Sequence, residues 1–218
     1  MFNFTKKEIR DLIISFIVVS IAFAIATVKL DLYGFISVLP IIMVGVGIGV
    51  LFHELGHKYM AMQYGFRSEY EMWPLGLAIA LVSSFTGFVF AIPGSAHTYA
   101  DNLTDEIYGR ISLAGPMTNV ALALIFIIIA SVAYPFSSNS NIALLIYLIG
   151  AIGFSVNSFL AAFNLFPLYT LDGTKVLKWS KGVWLVSFVV AGIMVLLSIM
   201  IGAENMVKMI VSATLVWN

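Results

Sequence analysis

Five long apolar runs govern what this chain can fold into: about 12–28, 36–60, 111–134, 142–166 and 183–202. Each approaches or exceeds the roughly 20 residues a helix needs to cross a bilayer. Of the 218 residues, 61% are apolar and 10% charged, against about 45–50% and about 25% in soluble domains. Too few charges remain to coat a water-soluble fold. The expected fold class is a polytopic α-helical membrane protein with five to six transmembrane helices. A single membrane domain over 1–218 is expected, with no soluble appendage. The first run follows Lys6, Lys7 and Arg10 and contains Ala22-Phe23-Ala24, so a signal peptide is its other reading, although it is long for one.

Eleven basic residues balance eleven acidic ones, and their short runs leave no footprint for nucleic acid. Cysteine is absent, which removes disulfides, thiolate metal sites and a cysteine nucleophile together. A metal here must be held by histidine and carboxylate. Trp73, Trp179 and Trp184 fall at expected span ends, where amphipathic rings settle at the headgroup level. The tail 205–218 is too short to span and reads as an interfacial helix.

Residues 75–92 have a different texture. Leu75-Gly76-Leu77-Ala78-Ile79-Ala80-Leu81 alternates large and small, Ser83-Ser84-Phe85-Thr86-Gly87 interrupts, and Phe88-Val89-Phe90-Ala91-Ile92 resumes. Period two about a central turn cluster predicts a β-hairpin, and one inserted in a membrane must be covered by protein or line a cavity. Charge counting supports a non-spanning segment. With the amino terminus in the cytoplasm and a hairpin at 75–92, nine Lys and Arg lie inside and two outside; a spanning 75–92 changes this to six against five. The positive-inside rule favours the first arrangement.

The second run ends in His53-Glu54-Leu55-Gly56-His57. Helical residues four apart lie on one face, so both histidines can present nitrogens to one ion. Glu54, one step round, is placed to take a proton from a water held by the metal. This is the HExxH arrangement of zinc peptidases. By composition alone it would arise in about one chain in a thousand.

A hydrolytic zinc usually has three protein ligands and one open position. Candidates for the third are His97, beyond the hairpin; the loop acids Asp101, Asp105 and Glu106; Glu69 and Glu71 beside Trp73; and Asp172. Asp172 is the lone carboxylate between 107 and 203 and follows Asn164 and the helix-breaking Pro167. Only the non-spanning reading of 75–92 puts it on the same membrane face as His53 and His57. Its other reading is a turn or helix-end residue beside Gly173.

At these residues the chain resembles the site-2 protease family of intramembrane zinc metalloproteases. The matching segments are the HExxH run; Asn164, Pro167, Asp172 and Gly173 as N-x-x-P followed by D-G; and Gly115-Pro116-Met117-Thr118-Asn119. They give a motif core of about 36–175. The resemblance implies one zinc per chain held by His53, His57 and Asp172, with Glu54 as general base. Asn164 would bond near the scissile carbonyl or the oxyanion. It also implies a membrane-inserted β element between the HExxH helix and the following span. Tyr169 and Thr174 stand where many members carry proline and glycine. The expected function is hydrolysis of transmembrane protein or peptide substrates near the cytoplasmic side of the lipid bilayer. The alternatives are an inactive membrane chaperone and a metal transporter using the same ligands. Oligomeric state is left open.

Overall fold

The computed structural model describes residues 4–90, 92–100, 103–168 and 171–216. Among them, five helical stretches are long and apolar enough to cross a membrane: Lys6–Val28, Leu32–Gln63, Asp105–Phe136, Asn141–Asn164 and Lys181–Met200. They match the five apolar runs of the sequence.

Helix α1 (Lys6–Val28) starts at Thr5, whose hydroxyl accepts from the Glu8 amide at 3.1 Å. The second candidate span is compound. Helix α2 (Leu32–Ile42) passes through a π-helical stretch at Met43–Gly47 into α3 (Ile48–Gln63), which carries the HExxH run. Helix α5 (Asp105–Ala133) packs along α6 (Asn141–Asn164), with small residues such as Ala123, Ala130 and Ala161 in their buried core. Small side chains let membrane helices approach closely. Short α7 (Asp172–Trp179) leads into α8 (Lys181–Met200) and α9 (Ala203–Val216). Helix α9 follows the expected position of the tail helix, and its Val207 is buried in the α5–α6 core. Trp184 does more than sit at a span end: its indole donates to the Leu165 carbonyl at 2.8 Å, satisfying a group freed where α6 stops.

The β element lies between α3 and α5, as expected, but not within 75–92. Strands β1 (Arg67–Met72) and β2 (Gly94–Tyr99) pair antiparallel, from Arg67 opposite Tyr99 to Met72 opposite Gly94. Between them Pro74–Ser84 forms helix α4, and Ala91 of the expected second strand lies outside the described residues. The expected hairpin is corrected for a physical reason. Pro74 sits at the first helical position, where its missing donor costs nothing. The alternation of large and small does not survive as a face: Gly76, Leu77, Ala80 and Ser84 are buried at helical spacing, and Ala78 is exposed. An eleven-residue helix is about 16 Å long, too short for a hydrocarbon core of about 30 Å. The chain therefore enters and leaves 67–99 at the same end.

One edge of the sheet is closed by side chains of α1. The Tyr70 amide donates to Glu8 Oε1 at 3.1 Å and the Met72 amide to Asp11 Oδ2 at 3.4 Å. Lys58 of α3 donates to both Glu8 carboxylate oxygens at 2.7 Å and to the Ser68 carbonyl at 3.0 Å. Both charged groups are buried. Removing one partner of a buried pair strands the other, at a cost of about 3–5 kcal/mol. Glu8→Ala is therefore expected to lower the thermal unfolding midpoint markedly, and replacing Glu8 and Lys58 together by Met is expected to recover part of the loss, since the Tyr70 amide and the Ser68 carbonyl still lose their partners. An unchanged midpoint in Glu8→Ala would show that the pair does not hold β1.

Candidate metal centre

His53 and His57 stand one turn apart on α3, and Asp172 is the first residue of α7. All three are buried. Asp172 Oδ2 lies 3.3 Å from His53 Nε2 and 3.1 Å from His57 Nε2, and the two Nε2 atoms are 3.1 Å apart. Ligand atoms about 2.0–2.1 Å from a tetrahedral zinc would stand about 3.4 Å from one another. The group has the size and donor set of a His-His-Asp metal site.

The hydrogen bonds on the far sides of the rings sharpen this fit. His57 Nδ1 donates to the Ile111 carbonyl at 2.8 Å, and His53 Nδ1 donates to Asn119 Oδ1 at 2.6 Å. A neutral imidazole that donates through Nδ1 turns a lone pair outward at Nε2. Two such lone pairs and a carboxylate oxygen thus converge, three acceptors that call for a cation among them. Burial alone would raise the Asp172 carboxyl, but His57, His53 and Lys175 beside it hold it well below the usual carboxylate range. It stands as an anion at neutral pH. Its other oxygen accepts from Lys175 Nζ at 3.3 Å.

Two glycines make room for this convergence. A Cβ on Gly115 of α5 would lie 2.4 Å from His57 Nε2 and 2.8 Å from His53 Nε2. A Cβ on Gly173 would lie 2.0 Å from the Leu165 carbonyl oxygen, so only glycine lets the start of α7 tuck under the end of α6 and deliver Asp172.

Glu54 is buried beside the group, and its Oε2 has no hydrogen-bond partner. An orphaned carboxylate oxygen in a buried site is costly unless something binds there. Asn164 closes α6 and donates to its own Leu160 carbonyl at 2.9 Å, leaving a second amide hydrogen. It lines a cleft of about 520 Å³ together with His53, Glu54, His57 and Asp172.

The other candidate ligands among the described residues are elsewhere. His97 on β2 is exposed, 4.0 Å from Glu71 at the outer cleft. Glu71 pairs with Lys7, Glu69 with Arg67, Asp105 with Lys178 and Glu106 with Arg110. Asp101 and Tyr169 lie outside the described residues. Lys175, Asn157, Glu8 and Lys58 carry no motif that sequence reasoning could use; the one available signal was their charge or amide placed in or beside an apolar run.

The fold and this centre define a helical, membrane-type scaffold around a HExxH metal site, and comparison with known proteins gives the family. "Putative zinc metalloprotease MJ0611" of Methanocaldococcus jannaschii is 42% identical over 185 residues, which are 84% of this chain and 90% of that protein. The chain belongs to the zinc metalloprotease family that this relative represents. "Zinc metalloprotease MJ0392" of the same organism is 26% identical over 60% of this chain and 31% of its own length. "Putative zinc metalloprotease YwhC" of Bacillus subtilis is 26% identical over 67% of this chain and 72% of its own. No family model matches the chain, and no solved structure matches it.

Proposed function

We propose that this protein is an intramembrane zinc metalloendopeptidase of the site-2 protease type. The observation that carries the reading is the convergence of two Nε2 lone pairs and the Asp172 carboxylate beside the orphaned Glu54 oxygen. His53, His57 and Asp172 hold one zinc per chain. Bound there, the metal supplies Lewis acidity that polarises a peptide carbonyl and acidifies water. Glu54 takes a proton from the water that attacks the scissile carbonyl and passes it to the departing amine. The spare amide hydrogen of Asn164 bonds the oxygen on which negative charge develops. The excess of nine positive residues over two orients the amino terminus and the site toward the cytoplasm.

The substrate is a transmembrane segment that unwinds locally, because helical backbone groups are already bonded. β2 offers those groups new partners. Tyr70 and Met72 turn their amides away from β2 toward Glu8 and Asp11, so their partners Ala96 and Gly94 turn theirs to the opposite edge. Thr98, two residues on, shares that alternation. The Ala96 amide on this edge already bonds the Glu54 carboxylate, and the stretch running on to Thr98 beside the cleft suits strand addition by an extended peptide. Thr98→Pro removes one edge donor and is expected to slow cleavage about 5–10-fold, the value of roughly one hydrogen bond, with zinc content unaltered. Equal rates in wild type and variant would place the substrate elsewhere.

The test of the whole reading uses purified protein and a single-span helical peptide co-reconstituted in liposomes. Cleavage within the apolar segment, abolished by a zinc chelator and restored by zinc, is expected. Zinc flux without any cleavage would overturn the reading in favour of transport.

A further inference from the structure

Two buried asparagines outside the metal centre form a connected chain to His53. Asn157 of α6 donates to the Gly45 carbonyl at 2.9 Å and to the Gly153 carbonyl at 2.8 Å. Asn119 of α5 donates to Asn157 Oδ1 at 2.9 Å and to the Gly49 carbonyl at 3.0 Å. His53 Nδ1 meets Asn119 Oδ1 at 2.6 Å. Both asparagines are fully buried.

The direction of every bond in this chain is dictated by the backbone. Carbonyl oxygens only accept, so the Asn157 amide that touches Gly45 and Gly153 must be its nitrogen. Its oxygen then faces Asn119. The Asn119 group that touches Gly49 and Asn157 Oδ1 must in turn be nitrogen, and its oxygen faces His53. No flip of either amide is compatible with these partners. His53 Nδ1 is left as a donor, and its lone pair is forced to Nε2, toward His57 and Asp172.

We infer that Asn119, backed by Asn157, is a positioning residue that fixes the tautomer of His53 and so pre-forms the metal centre. The chain begins at Gly45 inside the π-helical stretch Met43–Gly47, the segment that sets where the HExxH helix begins. Single π-turns recur at functional sites, and here the stretch is pinned to α6, which also carries Asn164. One polar chain therefore ties α3, α5 and α6 into a common register about the ligands. His57 reaches the same tautomer by a shorter route, through the Ile111 carbonyl. Partners that orient a metal-bound histidine typically change metal affinity about 10–100-fold when removed.

The inference rests on the metal-binding reading of the centre, but its first test needs neither metal nor substrate. Histidine occurs only at 53, 57 and 97, so 15N-histidine protein in lipid gives three ring systems, assignable with His97→Gln. In metal-free protein at mildly alkaline pH, His53 and His57 are both expected to carry their proton on Nδ1. A wild-type His53 protonated on Nε2 overturns the inference whatever the protein's activity. Asn119→Leu is expected to move His53, and not His57, to a mixture of tautomers and to weaken zinc binding about 10–100-fold in chelator competition. Asn119→Asp keeps the acceptor and the size and is expected to hold the His53 proton on Nδ1. Loss of that tautomer in Asn119→Asp, or its survival in Asn119→Leu with zinc affinity unaltered, would show that Asn119 serves packing alone. Loss of cleavage with these outcomes intact bears on the protease reading, not on this one.

Discussion

Glu54→Gln protein is expected to bind zinc to the same extent as wild type, and to cleave a reconstituted transmembrane peptide about 10²–10⁴-fold more slowly. Glutamine keeps the length of the side chain and its place one step from His53 but cannot accept a proton from water. The carboxylate is buried with one oxygen unpartnered, and the group of converging ligand atoms consists of His53, His57 and Asp172 without it. Chemistry and metal retention should therefore separate cleanly. Full activity in this variant would remove the general-base role and with it the hydrolytic mechanism. Lost zinc would instead assign Glu54 to the coordination sphere.

Asp172→Ala is expected to purify with little or no zinc by elemental analysis, beside about one per chain in wild type. Removing the aspartate leaves two neutral imidazoles with converging lone pairs and no anionic ligand, and metal binding to such a pair is far weaker. Lys175 Nζ, now facing Asp172 Oδ1 at 3.3 Å, would keep its positive charge beside the two histidines. Asp172→Asn separates these effects, since it keeps an oxygen donor without the charge and should retain an intermediate zinc content. Full retention in Asp172→Ala would require another carboxylate or His97 to reach the histidines, and the exposed position of His97 beside Glu71 gives no route for that without moving β2.

Much of this arrangement is legible in the sequence because it depends on neighbours along the chain. A run of some twenty apolar residues has few options other than a buried or membrane helix. His53 and His57 share a helical face by the geometry of a single turn. Asp172 stands out because a carboxylate is isolated in a long stretch without another, beside a proline that ends a helix. In 75–92 local pattern misled: the alternation of large and small residues reads as a strand, while the chain forms a short helix begun by Pro74 whose buried face is Gly76, Leu77, Ala80 and Ser84. Which is adopted depends on whether a strand partner exists, and Arg67–Met72 takes Gly94–Tyr99 instead.

By itself, then, the sequence determined the apolar runs, the HExxH pair with the glutamate beside it, and a short roster of candidate third ligands. The tertiary structure alone decided the rest. It brought Asp172, rather than His97, Asp105 or Glu106, to the two Nε2 atoms. It closed one edge of the sheet with Glu8 and Asp11, about sixty residues distant in the chain. It also threaded Asn157 and Asn119 to His53. The physical reason is common to all three. Helical spacing and apolar length are written in consecutive residues, whereas a buried polar group takes whichever remote partner the packing of several helices sets within about 3 Å of it.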